Sequence, residues 1–145
     1  MFKTIGYLIE AVSYMKSYRL LYDQMLKVAL GVLVYDHSNK EFRIFIRMDR
    51  RLRLYPLPFC DYISKWGMYA LDAKESLMWV RERIIPPNRA NIGAILHELG
   101  LREYDEWVML DSNNGLSCQD HIIMRKLNDK QLRWYAGRFH ITELK

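Results

Sequence analysis

The chain has 145 residues, 50% of them apolar, with a formal net charge of +5 and a pI near 9.2. That length suits one domain spanning 1–145, and the apolar content supplies a core, which excludes a disordered or low-complexity chain. Two cysteines, Cys60 and Cys118, exclude a disulfide framework, and the basic balance suits a plain solvated surface or an acidic partner such as nucleic acid, an anionic membrane face or an acidic protein.

The N-terminus lacks a basic region followed by an apolar core and a small-residue cleavage site, so no signal peptide is expected. The longest apolar segment, residues 5–34, is interrupted by Glu10, Lys16, Arg19, Asp23 and Lys27, which argues against a membrane span. A cytoplasmic chain with reduced thiols is the expectation.

Residues 5–26 read as a helix. Tyr7, Ala11, Tyr14, Tyr18, Leu21 and Met25 recur at steps of four and three, and Ile5, Leu8, Val12 and Met15 form an adjacent row. Such a stripe packs within its own domain or docks on a partner, and both remain open. Residues 29–48 read as a β-hairpin. Residues 29–35 are apolar on both sides, as in a central strand, and residues 36–40 form a turn cluster. In the second arm Phe42, Ile44, Ile46 and Met48 share one face, with Arg43 and Arg47 on the other. Residues 51–55 repeat the alternation before Pro56 and Pro58 break it.

From residue 74 the period becomes helical. Residues 74–83 carry Leu77, Met78, Trp79 and Val80, and Pro86 and Pro87 stop the segment. Asn88 is the expected N-cap of a helix of about three turns ending at Leu99, with Gly100 as its C-cap. Residues 103–110 make another short helix, in which Asp105 and Glu106 sit early, where the dipole favours acids. Asn128 caps a last helix with Leu132, Tyr135, Ala136 and Phe139 on its apolar side. The fold class expected is therefore α+β: a small antiparallel sheet (hairpin 29–48 plus 51–55) packed with an N-terminal helix and a C-terminal group of short helices.

No catalytic constellation stands out. Cys118 and His121 flank Asp120, but a structural zinc site needs four ligands, and Cys60 and His140 are the remaining candidates. A Cys118–His121 nucleophile pair is a second, weaker reading, against the plain one of a small cysteine beside a polar loop. The histidines His37, His97, His121 and His140 are scattered, Glu103, Asp105 and Glu106 share one short turn, and no glycine-rich phosphate cradle occurs. The expectation is a non-enzymatic chain with no metal and no cofactor. Arg43, Arg47, Arg50, Arg51 and Arg53, with Tyr55 beside them, form a basic stripe suited to phosphate contact and base stacking, or simply to keeping a sheet face soluble.

The stretch "WVRERIIPPNRANIGAILHELGL" resembles a segment of HipA-like toxin–antitoxin proteins, in which a tryptophan-led helix precedes an R-x-x-P-x-x-R turn, a short helix ending in LGL and, some thirty residues after the turn, a G-L-S-x-x-D sequence. Trp79, Arg83, Pro86 and Arg89 match the first part, Leu99, Gly100 and Leu101 the second, and Gly115, Leu116, Ser117 and Asp120 the third. The similarity covers about residues 75–121, ahead of the position where the family's kinase domain begins, and the nucleotide-binding parts of a kinase do not fit in residues 126–145. The resemblance implies a free-standing relative of the accessory region, a protein-interaction module that binds and regulates a HipA-like kinase and needs no active site. Arg83, Arg89 and Arg102 are then candidate partner-binding residues, although Arg83 and Arg89 are also placed to bond helix-end carbonyls. The alternative is a basic nucleic-acid-binding or mobile-element accessory protein, such as a phage inhibitor of a host nucleoprotein complex, acting through the arginine stripe.

Overall fold

The computed structural model describes residues 16–47 and 70–139. Two strands, β1 (Lys16–Asp23) and β2 (Val28–Asp36), open the described chain, followed by β3 (Glu41–Ile46) and the short β4 (Ala70–Leu71). Three helices follow, α1 (Ala73–Arg81), α2 (Ile92–Glu98) and α3 (Glu106–Ser112), then β5 (Ile122–Lys126) and α4 (Asp129–Arg138). The strands form one antiparallel sheet in the order β4-β3-β2-β1-β5, so the architecture is α+β as expected.

The helix expected over 5–26 is corrected over its second half: residues 16–23 are β1, and residues 24–27 are a turn. Tyr18, Leu21 and Met25 do recur at helical steps, but the same segment also alternates. Leu20 faces one side of the sheet beside Val32, and Leu21 the other beside Gly31. Both are buried because both sheet faces are covered, and adjacent apolar residues then mimic a helical row. Residues 5–15 and 51–55 lie outside the described residues.

The two hairpin turns share a device. Asp23 ends β1 and accepts from the N–H groups of Met25 and Leu26, both at 2.9 Å. Asp36 ends β2 and accepts from Ser38 and Asn39 in the same way, at 2.9 and 3.3 Å. Each turn closes on a lysine in the left-handed region, Lys27 at φ 57° and Lys40 at φ 54°. Gly31 in β2 is required by close approach, since a Cβ there would collide with the carbonyl of Phe45 on β3.

One sheet face carries the larger core. Leu33, Tyr35, Phe42, Ile44 and Ile46 meet Trp79 and Val80 of α1 and Trp107 and Leu110 of α3. Tyr35 and Trp107 stack with centroids 5.1 Å apart and planes 5° from parallel. Each such burial contributes about 1.5–3 kcal/mol. Ser76, fully buried in α1, is satisfied by accepting from the Ile44 N–H at 3.1 Å. The opposite face holds a smaller cluster in which Leu20, Val32, Val34 and Phe45 pack under Phe139, with Tyr135 and Ala136 of α4 alongside. That face is therefore not wholly solvated, contrary to the simple alternation of Arg43 and Arg47 with apolar residues.

The helix ends follow their capping chemistry. Asp72 caps α1 through Glu75 N–H at 2.8 Å, and Asn128 forms a capping box with Gln131 at the start of α4. At α2 the expected start at Asn88 moves to Ile92. Residues 86–91 are used up by two successive turns closed by Arg89 N–H to Pro86 O and Ile92 N–H to Arg89 O. Its far end matches expectation: Gly100 at φ 72° donates to His97 O while Leu101 donates to Leu96 O, a Schellman closure. The segment expected as a helix over 103–110 begins at Glu106, because Asp105 is spent as N-cap to Val108.

Candidate interaction surfaces

Arg83 leaves the end of α1 and turns inward. Its side chain is 3% exposed, and its guanidinium grips both oxygens of Asp120 at 2.6 Å each. Nε donates to Gly115 O at 2.7 Å, and the guanidinium carbon lies 4.3 Å from the centre of the Trp79 ring. Asp120 also accepts from the Ile122 N–H at 3.0 Å. Burial pushes the Asp120 carboxyl up, but the Arg83 hydrogen bond, the Ile122 N–H and the nearby positive charges outweigh it, and its pKa lies below the ordinary aspartate value. Arg83 does bond carbonyls, but those of Gly115 and Ile122, not those ending α1. Of the three candidate partner-binding arginines it is therefore a tie inside the fold, and Arg89 and Arg102 are exposed.

Two distant segments thus converge. Trp79, Arg83, Gly115 and Asp120 come from two segments more than thirty positions apart and make one contact network. A second Arg–Asp–Trp arrangement sits beyond it, with Arg19 of β1 bonded to Asp111 at 3.0 Å and lying over Trp107 at 4.9 Å. Sequence reading missed Arg19, Asp111 and the role of Asp120, because each pairing spans a long sequence separation.

Beside the tie, the chain reverses through Pro86 and Pro87 over a groove of about 530 Å³ lined by Arg81, Ile84, Asn88, Tyr104 and Glu106. The Tyr104 hydroxyl donates to Ile85 O and holds the reversal down, while Arg81 pairs with Glu106 at 2.8 Å. Burial and the Glu106 carboxylate raise the Tyr104 phenol above its ordinary value, partly offset by Arg81, so it stays a neutral donor. None of the residues of α2 is buried, although Ile92, Ile95 and Leu96 run along it and Leu99, 37% exposed, follows.

Of the arginine stripe, Arg43 and Arg47 are described, and Arg50, Arg51, Arg53 and Tyr55 lie outside the described residues. Arg43 is half-buried, donates from Nε to Leu71 O at 3.0 Å and lies over the Phe45 ring. Arg47 lines a concavity between the β1–β2 turn and α4. Cys118, His37, His97 and His121 are exposed and dispersed, and among the described residues no three His, Cys, Asp or Glu side chains are grouped to hold a metal ion. Cys60 and His140 lie outside them. Among the described residues no helix is long and apolar enough to cross a membrane. No family model matches the sequence, and no curated protein or solved structure matches it either.

Proposed function

We propose that this chain is a non-enzymatic interaction module that binds and regulates a HipA-like kinase through the α2 segment. The observation that carries the reading is the partial cover of α2: Ile92, Ile95 and Leu96 are half-buried, with Ile95 and Leu96 packed against the edge of the larger core, while Leu99 after them is exposed and Arg89 and Arg102 flank the segment in solvent. An amphipathic helix only partly covered at home suits burial against a second protein, and the flanking arginines suit an acidic rim on that protein. The segment is also tied at both ends. The prolines, the Tyr104 hydroxyl and the Arg83–Asp120 tie fix the approach to α2, and the Schellman closure fixes its exit, so little ordering entropy is lost on docking.

The test is affinity capture of the tagged chain from its native host, with and without nuclease, followed by phosphorylation assays on any kinase recovered. A stoichiometric HipA-like kinase that survives nuclease, whose activity changes when the chain binds, is the expected result. Leu99→Glu should weaken the complex at least about tenfold, as for an apolar residue at an interface centre, and Arg102→Glu, at the rim, should mainly slow association and reduce its salt dependence. A chain that neither binds nor modulates such a kinase refutes the reading.

A further inference from the structure

On the sheet face opposite α1 and α3, the β1–β2 turn, the end of β3 and the last turns of α4 surround a concavity of about 580 Å³. Its walls are aromatic and basic: Tyr22, Trp134, Tyr135 and Phe139, with Lys27 and Arg47. No carboxylate is among the described lining residues. Trp134 is 53% exposed, the most exposed tryptophan among the described residues, and stands edge-on to Tyr135 with centroids 4.8 Å apart. The Tyr22 ring carries the Arg125 guanidinium at 3.8 Å, which brings a third cation from β5 to the same face. Lys27, in its left-handed conformation, closes the turn at the edge of the concavity.

We propose that this concavity binds single-stranded nucleic acid, with a base stacking on Trp134 and phosphates met by Lys27, Arg47 and Arg125. The exposed Trp134 ring among spread cations suits a base that is free to stack, and duplex bases are already stacked on one another. A lone nucleotide fits less well: the cations come from three separate strands or turns, and no glycine-rich loop or helix N-terminus converges on one phosphate. The C-terminal end of α4 presents carbonyls here, so phosphates should run along the strand ends while bases lie against the helix. The inference is independent of the kinase reading, which uses the α2 segment.

The test is fluorescence anisotropy of the full chain with labelled DNA and RNA strands of about ten nucleotides, beside the matching duplex. Three phosphate contacts at a slope near 0.7 each predict about 20-fold weaker binding when salt rises fourfold. Trp134→Ala should weaken binding at least about fivefold, the lower limit for losing one stacked base. Lys27→Gly removes a cation while suiting the left-handed backbone, and should lower the salt slope by about 0.7. Both variants should keep the parent's circular dichroism spectrum and melting point to within about 3 °C, since one position is exposed and the other gains conformational ease. Leu99→Glu should leave strand binding unchanged, and Trp134→Ala should leave a kinase complex unchanged, so either reading fails separately. Equal affinity for duplex and single strand, no binding at low salt, or full affinity in Trp134→Ala overturns the proposal.

Discussion

Replacing Arg83 with methionine removes the guanidinium while keeping a flexible side chain against Trp79. Asp120 then keeps only the Ile122 N–H at 3.0 Å, and Gly115 O loses its donor. Breaking a buried ion pair from one side costs about 3–5 kcal/mol. Arg83 is 3% exposed but Asp120 is 15% exposed, so water relieves part of the orphaned charge and the lower end, about 3 kcal/mol, applies. Asp120→Asn, which still accepts from Ile122, should cost about 2 kcal/mol, as expected for a charged hydrogen bond weakened. The double variant should cost no more than Arg83→Met alone, which gives a coupling of about 2 kcal/mol. Urea unfolding at pH 7 with linear extrapolation reads all four corners of the cycle. The acid limb supplies a second readout. Because the Asp120 pKa is depressed by folding, its stabilisation is full above the unfolded value near 4 and disappears as pH falls through the lower folded value. The gap between wild type and Arg83→Met should therefore narrow below about pH 4. Additive single-variant costs, or a loss under about 1 kcal/mol for Arg83→Met, would refute the tie as a source of stability.

Gly31→Ala should prevent stable folding or cost more than about 3 kcal/mol, because the added methyl meets backbone carbonyl on β3, which has no rotamer to yield; solubility and melting temperature check it. Ser76→Ala strands no hydroxyl of its own but deprives Ile44 N–H of an acceptor 3.1 Å away in the core, for about 1–3 kcal/mol in a urea titration. Asn128→Ala dissolves the capping box and should cost about 1 kcal/mol, with protection of the first-turn amides of α4 falling in hydrogen exchange.

Local chemistry made part of this fold legible. The β2–β3 hairpin announces itself through Phe42, Ile44 and Ile46 against Arg43, with an Asp-led turn between the arms. Asn128 and Gly100 mark helix ends because their side chain, or lack of one, acts within four residues. β1 misled because Leu20 and Leu21 are both buried, and a strand covered on both faces loses the alternation that distinguishes it from a helix. β5 carries no adjacent turn partner; it is a strand only because β1 waits beside it, with Arg19 opposite Lys126. The surfaces followed the same rule. The reversal before α2 is visible as Pro86–Pro87, whereas the concavity joins Tyr22, Arg125 and Trp134, which no local pattern connects.

The position of β5 has a consequence for biosynthesis. β1 pairs with β2 almost as soon as the turn emerges, but its other edge is completed only by residues 122–126. At about 5–20 residues per second, that edge stays open for roughly 5–20 s of translation, with Leu20, Leu21 and Tyr22 along it. During that interval the nascent chain displays a template for foreign strands, and a ribosome that stalls before residue 122 would release a product with a sticky edge. Once β5 arrives, the new outer edge ends in the exposed pair Arg125 and Lys126, and the finished sheet presents charge where the unfinished one presented unpaired backbone.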